Sequence, residues 1–478
     1  MLQITEQEIQ DRLAFDNPWW EVGEGIQPIY AAYPRRLYFE PFRALVTESS
    51  VNRAIVLMGP RRVGKTVMVY HTIHSLLEQG IEGDQILYLS LETPLYTGIP
   101  LEKIVLMFRS RFGHHRDARL FIFFDEVQYL KEWEVHLKSL VDSYPSIQFT
   151  ATGSAAAALA VKSRESGAGR FTDFSLPPLS FVEYLRFTDQ ESSLIKRPEY
   201  PLKFYQTTDI VSLNAAYIDY INFGGYPEAV FIEKIRAESD RYIKSDVIDK
   251  VLLRDLPSLY GIQDIQELNR LFTVLAYNSG NEVSYEGLTK SSGVAKNTIK
   301  KYLEYLEAAF LIRRLFPVGR SAKKFERVSR FKVYLTNPSI RAALFGPVDE
   351  NSDAMGAMNE NAIISQWEHT KSIRDLYYAR WKEREVDLVS LHPVMPQVTW
   401  CAEINWSDRS LNDYNQLKNL VTFARERKLD SALITTKTIT SREEIQELAV
   451  NFRPSSLLCY TVGYNLLHKV ALPTEKNS

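Results

Sequence analysis

The sequence predicts an α/β protein built on a mainly parallel sheet, and three observations carry that prediction. Between Val51 and about Ser180, short apolar runs alternate with stretches of helical periodicity. The first run leads directly into Gly59-Pro60-Arg61-Arg62-Val63-Gly64-Lys65-Thr66, a G-x-x-x-x-G-K-T phosphate loop followed by an amphipathic helix over about 65–79. The third run, LFIFFDE, stays apolar until it ends in Asp125-Glu126. Ionised carboxylates after five hydrophobes are costly unless they serve at the sheet edge, where ligands of such folds bind.

The composition sets the frame. A chain of 478 residues is too long for one core, so two to four domains are expected. Hydrophobic residues at 45% and charged residues at 24% are ordinary for a soluble globular protein. A formal charge of −2 gives no global attraction to nucleic acid or membrane, so any such contact must come from a local patch. Cys401 and Cys459 are too few for a disulfide framework or a multi-cysteine metal site and suit a reducing compartment. The opening MLQITEQEIQDR has no apolar signal core, and no run approaches the roughly 20 apolar residues of a membrane span. A cytoplasmic protein without a membrane partner is the expectation.

In chain order, Asn17-Pro18-Trp19-Trp20 is expected to cover the edge of the domain that follows, and Arg36, close before the first strand, either approaches the nucleotide or, the favoured reading, is a solvated surface arginine. Strands are expected over 54–59, 85–91, 120–126, 148–154 and 171–176. The glycines of the loop let backbone N–H groups turn around a polyphosphate, and the next helix points its positive end at the same charge. Lys65 reaches the β- and γ-phosphates and the Thr66 hydroxyl ligates Mg²⁺. Asp125 would hold that ion through water while Glu126 polarises the attacking water. A strand lies between the loop strand and the acidic one, and Glu follows Asp. Both features suit the ATPase branch that carries its own catalytic glutamate, so hydrolysis is expected as well as binding. The fourth strand ends Thr150-Ala151-Thr152-Gly153-Ser154, where a hydroxyl such as that of Ser154 either senses the γ-phosphate or caps a helix. Arg170 has two readings, an arginine finger on the transferring phosphoryl group or a surface salt bridge.

The stretch from about Phe181 to Leu259 reads as helical, with Phe223-Gly224-Gly225-Tyr226-Pro227-Glu228 as a turn, and suits a lid beside the nucleotide. Tyr285 to Ile299 has the cadence of a helix-turn-helix, with one helix ending at Gly293 and another starting near Ala295. The following RRLFPVGRSAKKFERVSRFKVYL reads as two strands joined by a wing. From Lys296 to Lys332 there are eleven Lys and Arg against three Glu, a local excess of eight positive charges. That is an electrostatic footprint for DNA or RNA, while a connector role or a protein partner stays open. After a linker through Gly346-Pro347 to Asp353, a helix carries Glu360, one strand carries Asp387, and a second carries Glu403 with Asn405 on the same side. The three carboxylates could hold Mg²⁺ for phosphodiester hydrolysis, or simply line a sheet edge.

Taken together, GPRRVGKT, FFDEVQYLKEW, TATGSAAAALA, GRF…LPPLSFVEYL, GGYPEAV and EVDLVS…CAEINWSDR resemble one large prokaryotic family. Its members are AAA-type ATPases whose C-terminal half ends in a domain of unknown function with a restriction-endonuclease-like fold. From about Arg36 onward, the resemblance implies a P-loop NTPase of the AAA+/ASCE type with a three-layer core at 51–180, on which residues 1–50 pack. It further implies a helical lid at 181–262, a winged helix-turn-helix at 263–350 and a PD-(D/E)xK-like α/β domain at 354–478. ATP with Mg²⁺ is the implied ligand. Lys65 and Thr66 match the phosphate-loop pair, Asp125 and Glu126 the acidic pair, and Arg170 the arginine of the family's glycine-arginine pattern. One departure stands out: where the nuclease pattern has Glu-x-Lys, this chain has Asn405, which supplies no positive charge. Lys382 and Lys418 are candidate substitutes, and a tail that is nuclease-like in fold but weak or inactive in chemistry is expected. The chain then reads as an ATPase controlling its C-terminal domains, as an ATP-gated nuclease using Asp387 and Glu403, or as a non-cutting switch. An oligomer is required only if Arg170 acts on a neighbouring copy.

Overall fold

A computed structural model describes residues 5–471 apart from 97, 154–168, 198–204, 320, 322–328, 370–372, 374, 383, 396 and 412. The chain folds as two compact units, one running to Pro177 and the other from Pro178 to Lys469.

In the first unit, apolar runs with little polar interruption form strands buried along nearly their whole length. These are β1 (Ala54–Met58), β2 (Ile86–Ser90), β3 (Leu120–Asp125) and β4 (Ile147–Gly153). A fifth, β5 (Phe171–Ser175), closes one side of an all-parallel sheet of order β2-β3-β4-β1-β5. Every strand lies within one residue of its expected bounds at either end. Helices Lys65–Glu78, Leu101–Phe112 and Trp133–Ser143 make the crossovers that parallel pairing requires. Because β4 stands between β1 and β3, the phosphate loop and Asp125 emerge at the same carboxyl edge.

The edge strand β2 is closed off by the N-terminal segment. Asn17, 0% exposed, accepts the Tyr88 N–H at 2.6 Å and donates to the Tyr88 carbonyl at 2.8 Å. The indole N–H groups of Trp19 and Trp20 donate to the Ile86 carbonyl at 3.2 and 2.8 Å. Side chains thus take the place of a sixth strand, and the tryptophan pair covers an edge as expected.

The second unit opens with helix Phe181–Phe187, started by a Ser180/Glu183 capping box, and stays largely helical to Leu256–Tyr260. A short pair, β6 (Ile195–Lys196) with β7 (Gln206–Thr207), interrupts it. Helix Ile265–Tyr277, strand β8 (Glu282–Ser284) and helices Tyr285–Ser292 and Lys296–Ala308 follow. Gly293 at φ +75° ends the first member of the helix pair where the sequence placed the turn. Next come β9 (Ile312–Val318) and β10 (Arg330–Leu335), paired antiparallel.

These strands do not end a separate domain. With β11 (Leu376–Trp381), β12 (Arg384–Leu391), β13 (Val398–Glu403), β14 (Ser431–Thr436), β15 (Ser441–Ile445) and β16 (Leu448–Pro454), they form one nine-stranded sheet of order β15-β16-β14-β13-β12-β11-β9-β10-β8. The join is β9, which pairs with β10 over Ile312–Leu315 and in parallel with β11 over Phe316–Val318. The residues around 346–353, expected to form a linker between separate domains, therefore connect two portions of one sheet. Asn361 strengthens the join by bonding both the N–H and the carbonyl of Leu335 at 2.9 Å. Two further expectations change. The strand expected to carry Asp387 is the second arm of a hairpin over 376–391 that turns at Lys382, and β13 stops at Glu403, so Asn405 lies beyond it. Among the described residues no helix is long and apolar enough to cross a membrane.

Candidate functional site

The phosphate loop is held from several sides. A Cβ at Gly59 would run into the carbonyl of Leu176, whose N–H donates to Met58 at 2.7 Å, so only glycine permits this approach of β5. Gly64 takes φ +94° immediately before the helix that begins at Lys65. The Lys65 ammonium is buried and donates to the carbonyls of Gly59 at 3.1 Å and Pro60 at 2.8 Å. Arg61 donates to the Tyr129 hydroxyl at 3.2 Å, Arg62 adopts φ +64°, and Val63 is buried. Arg36 is not the surface residue it was expected to be. It is buried and donates to the carbonyls of Val63 at 2.8 Å and Pro177 at 3.1 Å, bracing the loop from behind.

The two acidic residues are held differently. Asp125 is 2% exposed, and its Oδ2 accepts the hydroxyls of Thr66 at 2.8 Å and Tyr88 at 2.9 Å while Oδ1 accepts that of Thr152. Burial and the adjacent Glu126 push its pKa up, and the three hydroxyl donors pull it back down. Glu126 sits at φ +55°, a strained region for a non-glycine residue and one that recurs at functional sites. Its N–H donates to Thr152 Oγ1 at 3.2 Å, and its carboxylate accepts the Gln128 amide. Thr152 thus fixes both acidic residues. Tyr88 carries no motif in the sequence that marks it for this role. Thr66 and Asp125, a hydroxyl and a carboxylate already within a hydrogen bond, are hard oxygen donors that fit Mg²⁺. Ser154 lies outside the described residues. Arg170 is ion-paired with Asp142, and its carbonyl accepts the N–H of Ala54 at 2.9 Å. That is the start of β1, roughly 16 Å of strand away from Gly59. An in-chain finger is therefore corrected to a surface ion pair.

A second cluster lies in the other unit. Lys332 of β10 is 4% exposed, and its Nζ meets Glu385 at 2.8 Å, Glu360 at 3.0 Å and Asp387 at 3.1 Å. Glu360 also accepts the Tyr334 hydroxyl at 2.5 Å, and Asp387 accepts the N–H of Ile404 at 3.0 Å. Glu403 has a buried Oε2 with no hydrogen-bond partner. Burial pushes Glu360 up to about 7 against the pull of Lys332, and burial with Asp387 nearby holds Glu403 well above the ordinary range. Burial would lower Lys332, but Tyr334 and the carboxylates outweigh it and hold it well above the usual lysine value. Glu360 and Asp387 do converge, yet the lysine that reaches them is neither Lys382 nor Lys418, both of which are exposed. Among the described residues no group of three or more His, Cys, Asp or Glu is arranged to hold a metal ion.

The basic window is also partly spent. Lys296 pairs with Glu286, Arg313 with Glu368, Arg314 with Glu307, and Arg330 with Glu282. With Lys332, five cations of the stretch face carboxylates among the described residues, and of these five only Arg314 meets an acid inside the counted stretch.

Residues 51–185 match the family model described as an AAA domain. The first unit is thus similar to an AAA domain over residues 51–177. Residues 214–351 match a domain of unknown function, DUF8612. An uncharacterized protein of Methanocaldococcus jannaschii is 24% identical over 400 residues, covering 82% of this chain and 83% of that protein. An uncharacterized protein of Haemophilus influenzae is 26% identical over 303 residues, covering 62% of this chain and 70% of that protein. AMPPCP-bound DnaA from Aquifex aeolicus aligns at 10% identity and a TM-score of 0.27 over 59% of this chain and 93% of that one, a likeness too slight to bear on the fold. In the first unit, the loop, Thr66, Asp125 and Glu126 share one carboxyl edge of the sheet, where ligands of open parallel sheets bind.

Proposed function

We propose that the AAA-type unit binds ATP with Mg²⁺ and hydrolyses it. The observation that carries this reading is the direct bond from Thr66 Oγ1 to Asp125 Oδ2, which joins the end of the phosphate loop to the end of the acidic strand. Thr66 and Asp125 would hold the Mg²⁺, which when bound neutralises charge on the β- and γ-phosphate oxygens. Lys65 exchanges the carbonyls of Gly59 and Pro60 for phosphate oxygens, and the backbone N–H groups of Gly64 to Thr66 line the same anion. Glu126, held through its backbone by Thr152 and through its carboxylate by Gln128, orients a water and accepts its proton as the water's bond to the γ-phosphorus forms and that phosphorus's bond to the β,γ-bridging oxygen breaks, ADP leaving. The adenine choice rests on the AAA domain match.

The test is Glu126→Gln, with turnover measured beside equilibrium binding of ATP. Turnover is expected to fall about a hundredfold or more while binding is kept. Unchanged turnover would remove Glu126 from the chemistry.

For the second unit, the helix pair Tyr285–Ser292 and Lys296–Ala308 followed by the β9–β10 pair supports a winged helix-turn-helix. We read this unit as the one whose grip on DNA, RNA or a protein partner is set by nucleotide state.

A further inference from the structure

The restriction-endonuclease-like reading of the tail implies a divalent metal among Glu360, Asp387 and Glu403, and the residues present do not fit one. We infer that Lys332 is the resident cation of this cluster, standing where that metal would stand, so that the second unit acts by binding and not by metal-dependent cleavage. This assignment holds whether or not the first unit hydrolyses ATP.

Three features of the cluster support it. An ammonium has three N–H donors; here it donates to Glu360 at 3.0 Å and to Asp387 at 3.1 Å, and it is ion-paired with Glu385 at 2.8 Å. Those are nitrogen–oxygen separations of ordinary hydrogen bonds and ion pairs, whereas Mg²⁺ holds oxygens at about 2.0–2.1 Å and Ca²⁺ at about 2.3–2.6 Å. The oxygens are spread for nitrogen, and the space between them is filled.

Lys332 is also fixed in place. It sits on β10 between two neighbours, opposite Glu282 of β8 and Leu315 of β9, with its ammonium 5.7 Å from the centre of the Tyr378 ring. Swinging it out would leave four carboxyl groups facing one another in a buried site.

Finally, neither remaining nuclease-like position adds a contact to the ammonium. Glu403 brings a buried Oε2 without a hydrogen bond and makes no contact with the ammonium among the ion pairs of Lys332. Asn405, in the place of the nuclease lysine, turns its side-chain amide to the Ser410 hydroxyl at 3.5 Å, while its main-chain N–H donates to Thr435 at 2.6 Å and its main-chain carbonyl accepts the hydroxyls of Thr435 and Ser455 at 2.8 and 3.0 Å. The tripod therefore has a structural consequence. It ties β10, next to the helix-turn-helix, to helix Met355–Ser365 and to β12, so that a partner held by one portion of the sheet pulls on the other.

The experiment is a Mn²⁺ titration of the full chain without nucleotide, read by the electron paramagnetic resonance of free Mn²⁺, for wild type, Asp387→Asn and Lys332→Met. Wild type and Asp387→Asn are expected to bind the same number of ions, and Lys332→Met to gain one. If wild type binds one ion more than Asp387→Asn, or if folded Lys332→Met gains none, the assignment is overturned. Should Lys332→Met fail to fold, the comparison of wild type with Asp387→Asn decides alone. Mn²⁺-dependent cleavage of DNA or RNA by wild type that disappears in Asp387→Asn would overturn it as well. Loss of ATP turnover, measured separately, bears on the first unit only.

Discussion

Asp125 is a single carboxylate held by hydroxyls from three elements: Thr66 at the start of the loop helix, Tyr88 on β2 and Thr152 on β4. Hydrogen bonds to a charged group contribute roughly 1.5–3 kcal/mol each, so Tyr88→Phe is expected to lower stability by about 1.5 kcal/mol. It should also raise the Mg²⁺ concentration needed for half-maximal turnover, because one of the donors that orient Oδ2 is gone. Denaturant titration and a Mg²⁺ series on the variant check both. Thr66 and Asp125 were legible because loop and strand end are encoded by local spacing. Tyr88 was not, because its role depends on which strand lies beside β3. A second residue yields a pH effect. Burial pushes Glu360 from 4.5 up to about 7, against the pull of Lys332. Between those values the folded chain keeps a proton that the unfolded chain has released, so this group's contribution to stability is lost as pH rises through the window. Glu360→Gln is expected to flatten the dependence of the denaturation midpoint between pH 4.5 and 7, and an unaltered slope would mean that other groups set it.

At the scale of elements, β2 shows how an edge is managed without another strand. Asn17 bonds both the N–H and the carbonyl of Tyr88 and also the carbonyl of Leu13 at 2.7 Å, all buried. Asn17→Ala is expected to cost about 2–3 kcal/mol through unsatisfied buried groups, and to promote association through the exposed edge. Chemical denaturation with light scattering measures the two effects. The strands of this unit were readable to within a residue because buried parallel strands appear as unbroken apolar runs between turns. The tail was harder for specific reasons. The β11–β12 turn has none of the Gly, Asn or Pro that usually marks one, and Lys382 takes φ +54° in their place, so its charged residues read as the middle of a strand. The β9–β11 pairing brings Phe316 beside Tyr377, and no local pattern encodes a partner so distant in sequence.

At the scale of the whole molecule, the question is how much of the basic window reaches a partner. The formal charge of −2 says nothing about it, and the count from Lys296 to Lys332 overstates it, because a count treats every cation as solvated. Lys296, Arg313, Arg314, Arg330 and Lys332 already face Glu286, Glu368, Glu307, Glu282 and the Glu360–Asp387 cluster. Lys300, Lys301, Arg320, Lys323, Lys324 and Arg327 are the other six cations of the window. Each phosphate neutralised on duplex DNA adds about −0.9 to the slope of log K against log salt. The six alone give a slope no steeper than about −5, whereas all eleven would give about −10. Titrating a labelled duplex from low to moderate salt measures this slope, and the shallow value is expected. A slope near −10 would mean that the internal pairs open on binding, including the Lys332 tripod, and the continuous sheet would then have to deform around β10. Charge reversal at Lys323 and Lys324 separates the remaining cases. A shallow slope that it reduces further assigns Lys323 and Lys324 to phosphate, and absence of salt-dependent binding to the duplex assigns the helix pair to a protein partner.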